Sequence, residues 1–213
     1  MLIDALVLAG GRSARLGGEP KAALRFQGRS LLQIAVDAAA QARRIVVVGD
    51  PRVLGQLTAS AHDQKLAFAR EDPPFGGPAA GLGAGLEVLR RLEPQTSAFT
   101  IVIGCDMPLV GLAVDQLLVA LRSSSVNDGE SDGVIGMSNG QLQPLAAIYR
   151  TSALSRALDA VGSLDGQSMK SITRQLTLNE VDLARESTDD VDTWDDAGRF
   201  GIRSNRSFEG ETS

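Results

Sequence analysis

Cysteine, histidine and aromatic residues are scarce in this chain of 213 residues, and each shortage excludes a class of chemistry. The single cysteine, Cys105, allows no disulfide within the chain, which fits a reducing compartment. A Ser-His-Asp or Cys-His mechanism would depend on the single histidine, His62, which lies in the polar stretch SAHDQK and is interpreted as a solvated surface residue. Metal-assisted phosphate chemistry stays open, because it needs only carboxylates, cationic side chains and backbone amides.

The chain also lacks an excess of positive charge and any long apolar run. Its formal net charge is −5 and its pI is about 5.0. Nucleic-acid binding needs a basic face, so no nucleic-acid partner is expected. No apolar run approaches the ~20 residues of a membrane span, so no membrane partner is expected either. The apolar run at residues 2–9 is short, contains Asp4 and lacks the basic flank of a secretion signal, so the expected location is the cytoplasm.

Hydrophobic residues are abundant, at 43% of the chain, and they fall into short runs that alternate with helical patterns. Nearly continuous aliphatic runs are typical of strands in a parallel sheet that is covered on both faces. The predicted strands are residues 3–9, 44–49, 66–70, 99–104, 133–137 and 145–149. The predicted helices are residues 30–42, with Ser30 as N-cap, 83–92, 114–123 and 151–161.

This alternation predicts an α/β fold: a Rossmann-like, doubly wound, mostly parallel sheet in a three-layer α/β/α arrangement. A single domain over residues 1–200 suits the length, and residues 201–213 are predicted to form a disordered polar tail. In doubly wound sheets, ligands bind beyond the carboxyl ends of the strands, near the point where strand order reverses. The segments that follow Ala9, Arg70 and Gly104 are therefore the candidates for a site.

The first of these segments is glycine-rich, and residues 6–21 have the sequence LVLAGGRSARLGGEPK. Gly10 and Gly11 let the backbone approach a ligand closely and present N–H groups to phosphate oxygens. The cationic side chains that add charge against a triphosphate are Arg12, Arg15 and Lys21. The segment is neither a Walker motif nor a dinucleotide fingerprint. It indicates a phosphate-binding loop, with a plain glycine-rich turn as the alternative.

Asp106 follows the predicted strand at residues 99–104, in the run Cys105-Asp106-Met107-Pro108. A carboxylate at the end of a buried strand is well placed to hold Mg²⁺, which proteins bind through one or two carboxylates together with substrate phosphates. The alternative is a helix N-cap. Cys105 itself is interpreted as a small buried hydrophobic residue rather than a nucleophile.

A glycine- and proline-rich segment, residues 70–85, joins a predicted strand to a predicted helix. Its sequence around Glu71 and Asp72 is REDPPFGGPAAG. Such a segment can form the wall of a base-binding site or a lid, because glycines permit close approach of a ring. A purely structural connection is the alternative.

Together, the three segments resemble the molybdenum cofactor guanylyltransferases, within the larger group of Rossmann-like nucleotidyltransferases. The resemblance covers about residues 2–200. Its most specific part is the motif L-A-G-G-x-S-x-R-x-G-x-x-K, which is here Leu8 to Gly17 with Lys21 one residue later than in the commonest spacing. The resemblance implies transfer of GMP from GTP to molybdopterin, with Mg²⁺ as cofactor, to give the guanine dinucleotide cofactor and pyrophosphate.

The resemblance also implies a role for particular residues of this chain. The implied GTP-binding residues are Leu8, Ala9, Gly10, Gly11, Arg12, Ser13, Lys21, Asp72, Gly77, Pro78 and Asp106. The implied catalytic residues are Lys21, Arg15 and Asp106. Gln143 and Pro144 would line the acceptor side, and Asp106 and Asp192 would hold the metal. Asp192 belongs to the run Asp190-Val191-Asp192-Thr193-Trp194, where many members have Asn-x-Asn-Thr-Pro, and capping of a helix near Trp194 is its alternative role.

Two further sequence features bear on the base and the acceptor. Cytidylyltransferases of the same cofactor tend to have L-A-A-G, so the Gly10-Gly11 pair favours guanine. The Glu19-Pro20-Lys21 ending is similar to that of sugar-phosphate and isoprenoid-type nucleotidyltransferases. The alternatives are therefore a sister nucleotidyltransferase with another base or acceptor, and a non-catalytic nucleotide-binding module. Partner proteins that deliver the cofactor precursor or accept the product are also expected.

Overall fold

The strands of this protein assemble into a seven-stranded sheet with the order β5-β4-β1-β6-β8-β7-β9, and β2 and β3 form a separate two-stranded sheet. The structure is a computed structural model that describes residues 1–11, 14–57, 63–74, 76–92, 97–123 and 131–203. The strands are β1 (Ile3–Ala9), β2 (Arg25–Phe26), β3 (Arg29–Ser30), β4 (Ile45–Gly49), β5 (Leu66–Ala69), β6 (Phe99–Gly104), β7 (Gly133–Ser138), β8 (Gln141–Arg150) and β9 (Asn179–Asp182).

Most neighbouring strands of the large sheet run parallel, which confirms the predicted fold class. β1 pairs in parallel with β4 and β6, β4 with β5, and β7 with β9. β8 runs antiparallel to both of its neighbours, β6 and β7. It begins at Gln141, four residues before the prediction, and the register with β7 shifts between Ile135 and Gly136. The sequence prediction missed β9 and the β2–β3 pair, which are too short for a clear pattern.

Helices connect these strands. They are α1 (Leu31–Ala38), α2 (Pro78–Leu92), α3 (Val110–Ser123), α4 (Thr151–Val161), α5 (Met169–Thr173) and α6 (Trp194–Arg199). Ser30 caps α1 as predicted, because its Oγ accepts a hydrogen bond of 3.1 Å from the backbone N–H of Gln33. α2 and α3 begin earlier than predicted. Their first turns contain glycines, Gly81 and Gly111, whose low helix propensity weakens the sequence signal of a helix. α5 and α6 were not predicted.

Apolar side chains cover the large sheet on both faces, which gives the predicted three layers. Leu6 and Val46 pack on one face with side chains of α2 and α4, and Ala5 and Val47 pack on the other face with side chains of α1 and α3. A third, smaller cluster lies beside the sheet. Its buried members are Leu16, Leu24, Leu31, Val191, Ala197 and Ile202. This third cluster attaches the segment around α6 to the start of the chain.

Strand order reverses at β1 and β6. The chain moves outward from β1 through β4 to β5, then crosses back to form β6 on the other side of β1. The backbone N–H of Cys105 donates a 3.0 Å hydrogen bond to the carbonyl of Leu8, so the two strands stay together to their carboxyl ends. The segments after Ala9 and Gly104 therefore meet at the position where ligands bind in such sheets.

Two predictions about the ends and surroundings of the chain have different outcomes. Among the described residues, no helix has both the length and the apolar content needed to cross a membrane. The division into a domain over residues 1–200 and a disordered tail over 201–213 stays a prediction, since residues 204–213 lie outside the described residues.

Candidate active site

Lys21 and Asp106 meet at the carboxyl ends of β1 and β6. Lys21 begins a short 3-10 turn, Lys21–Ala23, after Pro20, and Asp106 follows β6. Lys21 Nζ lies 2.9 Å from Asp106 Oδ2, and it also donates a hydrogen bond to Asp192 Oδ1. Only 17% of the Lys21 side chain is exposed. The structure thus brings together three side chains that the sequence assigned to the site.

The charge of Lys21 is stabilised by these carboxylates. Burial on its own lowers the pKa of Lys21, but the negative charge of Asp106 and the hydrogen bonds to Asp192 and Asp106 outweigh burial and raise it above its usual range. Lys21 is therefore protonated at any pH at which the protein works, and it supplies a permanent positive charge beside the phosphate loop.

A third carboxylate, Asp190, joins Asp106 and Asp192. The three residues each offer one carboxylate oxygen, and these oxygens lie within 4.8 Å of one another. Partial burial and the negative charges of Asp106 and Asp192 raise the pKa of Asp190. The metal prediction named Asp106 and Asp192 and left out Asp190. The alternation of acidic and apolar residues in Asp190-Val191-Asp192 is the signal that could have found it.

Val191 explains why both aspartates face the site. It is fully buried in the third apolar cluster, and its backbone N–H donates a 3.0 Å hydrogen bond to the carbonyl of Asp106. Neighbours in an extended segment point to opposite sides, so burying Val191 turns Asp190 and Asp192 the other way. The segment is thereby attached directly to the end of β6.

Helix α6 begins at Trp194, two residues after Asp192, and its N-terminal cap fixes the backbone of Asp192. Thr193 is the N-cap, with its hydroxyl accepting from Asp196 N at 3.2 Å. Asp196 Oδ2 in turn accepts from the backbone N–H of Thr193 at 2.9 Å and of Asp192 at 3.3 Å. This reciprocal arrangement is a capping box. Thr193 and Asp196 therefore cap the helix, and the Asp192 side chain does not.

The glycine-rich loop borders the same cluster. Gly11 has φ of 137°, a backbone conformation that other residues rarely adopt, so the loop depends on glycine there. Arg15 is 76% exposed, and its Nη1 lies 3.9 Å from Asp192 Oδ2. At this exposure the ion pair contributes little to stability, and Arg15 is accessible to an anionic ligand. Arg12, Ser13 and His62 lie outside the described residues, so their predicted roles stay predictions.

Three neighbouring cavities surround Asp106. A cleft of about 450 Å³, hereafter the nucleotide cleft, is lined in part by Ala9, Gly10, Gly11, Lys21 and Asp106. A cavity of about 200 Å³ adjoins it, hereafter the side cavity, and is lined in part by Leu8, Gly77, Pro78 and Asp106. Of the residues predicted to bind GTP, the structure thus brings together those of the glycine-rich loop, the start of α2 and the end of β6.

Asp72, by contrast, is exposed and is not among the lining residues of these cavities. Its neighbour Glu71 lines both the nucleotide cleft and the side cavity. A binding role for Asp72 therefore stays a prediction. Glu71 is a residue of the cleft that the sequence analysis did not name. Its place near the end of β5 was the available signal.

The largest of these three cavities, about 990 Å³, also borders Asp106 and is hereafter the acceptor cavity. Gln143 and Pro144 line it, as the predicted acceptor-side residues. The buried Tyr149 donates a 2.9 Å hydrogen bond from its hydroxyl to the carbonyl of Pro144, which supports this wall. Lys170 adds a positive charge to the cavity, while Arg199 is paired with Asp189 at 3.0 Å. The acceptor cavity is thus open, polar and adjacent to the metal-type cluster.

A glycine-rich loop and a lysine–carboxylate cluster at the reversal point of a doubly wound sheet fit the nucleotidyltransferase class of α/β enzymes. Comparison with known proteins then names the family: the chain belongs to the family described as the MobA-like NTP transferase domain, whose model matches residues 5–181. The match ends before Asp190 and Asp192.

One relative and two solved structures illustrate this membership. The chain is 28% identical over 144 residues to a probable molybdenum cofactor guanylyltransferase of Bacillus subtilis, covering 68% of this chain and 65% of that protein. Molybdopterin-guanine dinucleotide biosynthesis protein A of Archaeoglobus fulgidus has a similar structure, with a TM-score of 0.66, 20% identity and coverage of 92% of this chain and 96% of its own. The 2-C-methyl-D-erythritol 4-phosphate cytidylyltransferase of Francisella tularensis has a TM-score of 0.67 at 14% identity, covering 94% of this chain and 99% of its own.

Proposed function

We propose that this protein transfers GMP from GTP to molybdopterin, which produces molybdopterin guanine dinucleotide and pyrophosphate. The observation that carries the proposal is the position of Asp106, which borders the nucleotide cleft, the side cavity and the acceptor cavity. A group transferred between two substrates has to lie at such a junction. The Gly10-Gly11 pair and the similarity to the Bacillus subtilis protein, a probable molybdenum cofactor guanylyltransferase, support guanine as the base and molybdopterin as the acceptor.

The proposed reaction is an in-line displacement at the α-phosphorus of GTP. A phosphate oxygen of the acceptor attacks the α-phosphorus, the new phosphorus–oxygen bond forms, and the bond to the bridging oxygen of pyrophosphate breaks with its electron pair. The acceptor phosphate is already anionic near neutral pH, so no protein base is required. The protein's part is to align two polyanions and to stabilise the charge of the transition state.

The chain's own residues divide this work. The backbone at Gly10 and Gly11 presents N–H groups to the phosphates. Lys21, permanently charged, and the exposed Arg15 balance the negative charge that develops on the leaving pyrophosphate. Lys170 faces the acceptor cavity and attracts the acceptor phosphate. Each cation thus serves a different part of the bound substrates.

The donor set fits a divalent magnesium ion, which the family resemblance implies. Asp106, Asp190 and Asp192 offer carboxylate oxygens within 4.8 Å of one another, and oxygen ligands are those that Mg²⁺ prefers. These three residues would hold the ion. Bound there, Mg²⁺ would act as a Lewis acid toward the phosphates of the nucleotide.

The proposal has two further parts. The reaction takes place in the cytoplasm, which suits a chain whose single cysteine is a free thiol.

A partner protein delivers molybdopterin to the acceptor cavity, which at about 990 Å³ is open enough to receive a large anionic ligand directly.

The deciding experiment measures pyrophosphate release with GTP, CTP, ATP and UTP in the presence of Mg²⁺, with and without molybdopterin. Release that requires both GTP and molybdopterin supports the proposal. Release with CTP would favour a cytidylyltransferase, a candidate supported by the similar fold of the Francisella tularensis enzyme. Tight nucleotide binding without any release, with molybdopterin or with a sugar phosphate or methylerythritol phosphate as acceptor, would favour a non-catalytic module.

A further inference from the structure

A β-turn between α4 and α5, residues 164–167, lies against the chain just before α2. The N–H of Gln167 closes this turn by donating a 3.2 Å hydrogen bond to the carbonyl of Leu164, and the third residue, Gly166, has a φ of 70°. The N–H of Gly166 donates a 2.8 Å hydrogen bond to the carbonyl of Gly76. The 164–167 turn is therefore attached to the segment that leads into α2.

Leu164 also anchors the turn to α2 itself. A β-carbon on Gly83, in the second turn of α2, would lie 2.6 Å from Leu164 Cδ1, which is closer than a real contact allows. Gly83 has no positive φ, so its backbone conformation does not require glycine, and glycine destabilises a helix interior relative to alanine. Among the described residues outside α2, Leu164 is the one that this β-carbon would meet within 4 Å. Glycine at position 83 thus leaves room for Leu164, which packs on the same core cluster as α2.

The chain continues from this turn into the wall of the acceptor cavity. Ser168, Met169 and Lys170 line that cavity, and α5 begins at Met169. A helix of five residues is too short to be stable by itself, so its position depends on its contacts and on the segment that leads into it. The buried side chains of Met169 and Ile172 hold α5 on the core. The 164–167 turn determines where the helix starts, and therefore where the backbone of Lys170 lies.

The opposite side of the contact belongs to the donor half of the site. Pro78, the first residue of α2, lines both the side cavity and the acceptor cavity, and Gly77 lines the side cavity. The contact of the turn with α2 thus fixes the distance from Lys170 to the boundary between the two cavities. This distance matters for a displacement reaction, because a misplacement of about 1 Å can cost about 100-fold in rate.

We propose that Leu164 is a positioning residue for the acceptor: by resting against Gly83, it holds Lys170 where the acceptor phosphate reaches the α-phosphorus. Leu164 is not among the described residues that line the three cavities, so it acts through Lys170 rather than on a substrate. The triphosphate of the donor is assigned to the glycine-rich loop and Lys21, so donor affinity does not depend on Leu164. This inference rests on the proposed function and adds to it how the acceptor is positioned.

The test measures pyrophosphate release at varied molybdopterin concentration, and GTP affinity by isothermal titration calorimetry, in full-length variants. Gly83→Ala places a methyl group against Leu164 and displaces it, so we expect KM for molybdopterin to rise about tenfold while the Kd for GTP stays constant. Leu164→Ala removes the anchor and should change the same constant. Gly111→Ala is the matched control and should change neither constant, since a β-carbon at this glycine of α3 meets nothing within 4 Å.

A double-mutant cycle with Lys170→Ala separates positioning from general destabilisation. If Leu164 acts through Lys170, then adding Gly83→Ala or Leu164→Ala to Lys170→Ala should change KM for molybdopterin by less than about twofold. If either variant raises KM by the same factor with and without Lys170, its effect does not pass through Lys170 and the proposal is wrong.

Two further results would also overturn the proposal. An unchanged KM in the folded single variants would show that the contact does not position the acceptor. A loss of GTP affinity equal to the rise in KM would show a general disturbance of the site. If Gly83→Ala does not fold, Leu164→Ala carries the test, because it removes atoms and adds none. Wild-type protein that releases no pyrophosphate with GTP and molybdopterin would contradict the proposed function itself, and this inference with it.

Discussion

The ammonium of Lys21 and the carboxylate of Asp106 lie 2.9 Å apart although 85 residues separate them in the sequence. Lys21 comes from the loop after β1, and Asp106 comes from the end of β6, so the contact spans the reversal point of the sheet. Because Lys21 also bonds to Asp192, its positive charge occupies the space between two carboxylates that we assign to Mg²⁺. Metal binding by these carboxylates and phosphate binding by Lys21 are therefore expected to be coupled.

Replacing Lys21 should strengthen binding of a divalent metal in the absence of nucleotide. In Lys21→Met the ammonium no longer competes for Asp106 and Asp192, so we expect Mn²⁺ affinity to rise about tenfold and GTP affinity to fall. Electron paramagnetic resonance of free Mn²⁺ measures the first effect without any turnover. Lys21→Arg keeps the charge and should retain the competition. Unchanged Mn²⁺ affinity in Lys21→Met would contradict this expectation.

Replacing Asp106 should strongly reduce turnover without unfolding the protein. In Asp106→Asn the cluster loses one negative charge, so metal binding weakens and pyrophosphate release should fall by about 100-fold. The melting temperature should change little, because the variant removes both a partner of Lys21 and a repulsion with Asp190. Asp115→Asn, on the exposed side of α3, is the matched control. Full Mg²⁺-dependent activity in a folded Asp106→Asn protein would show that our assignment is wrong.

The capping box of α6 should control both stability and metal affinity. Thr193→Ala removes the N-cap hydroxyl, which should lower the free energy of unfolding by about 1 kcal/mol. The Thr193 hydroxyl also positions the Asp196 carboxylate that accepts from the backbone N–H of Asp192, so Mn²⁺ affinity should fall by up to about tenfold. Urea denaturation and metal titration measure the two effects. Thr193→Ser retains the hydroxyl and should retain both properties; if it loses them equally, the cap is not the cause.

Two helical glycines should respond in opposite ways to alanine. A β-carbon at Gly85 of α2 would lie 2.8 Å from Leu6 Cδ2 and 2.9 Å from Val48 Cγ2, so Gly85→Ala should destabilise the protein by about 1–3 kcal/mol. A β-carbon at Gly111 of α3 meets nothing within 4 Å, so Gly111→Ala should stabilise it by about 0.5–1 kcal/mol. Chemical denaturation of both variants tests the packing of α2 on the sheet. Equal effects at the two positions would count against that packing.

Lys170 should affect the acceptor and not the donor. Lys170→Ala removes a positive charge from the acceptor cavity, so we expect KM for molybdopterin to rise by about tenfold while the Kd for GTP stays constant. Steady-state kinetics and calorimetry separate the two. Lys65→Ala is the control, because Lys65 precedes β5 and donates to the carbonyl of Ala40. A change in the Kd for GTP without a change in KM for molybdopterin would show that Lys170 acts on the donor and not on the acceptor.

The sequence was sufficient for the parts of the molecule that local pattern determines. The aliphatic runs located β1, β4 and β6 nearly to the residue, and the position of Asp106 after a buried strand identified the end of β6 as part of the site. The expected neighbours Lys21, Asp106 and Asp192 do lie together. Alternation of strands and helices, together with the rule for ligands in doubly wound sheets, accounts for this success.

The parts that were missed depend on contacts between distant segments. Glu71 and Asp72 are adjacent carboxylates after β5, and a difference of one residue decides which of them faces the cleft. The orientation of Asp190 follows from burial of Val191 in a cluster that also contains Leu16, Leu24 and Leu31 from the beginning of the chain. No local sequence pattern predicts either fact, because each depends on how the backbone turns after a strand or helix ends.

The hydrogen bond of Lys21 to Asp192 joins residues 171 positions apart, and this distance bears on how the protein is made. During synthesis, the glycine-rich loop leaves the ribosome early, followed much later by the two aspartates around Val191. A nascent chain with β1 to β6 already paired would still present an incomplete cluster, so it would bind nucleotide poorly and transfer nothing. If the cluster has the role that we propose, catalytic competence is acquired only when the segment around α6 docks.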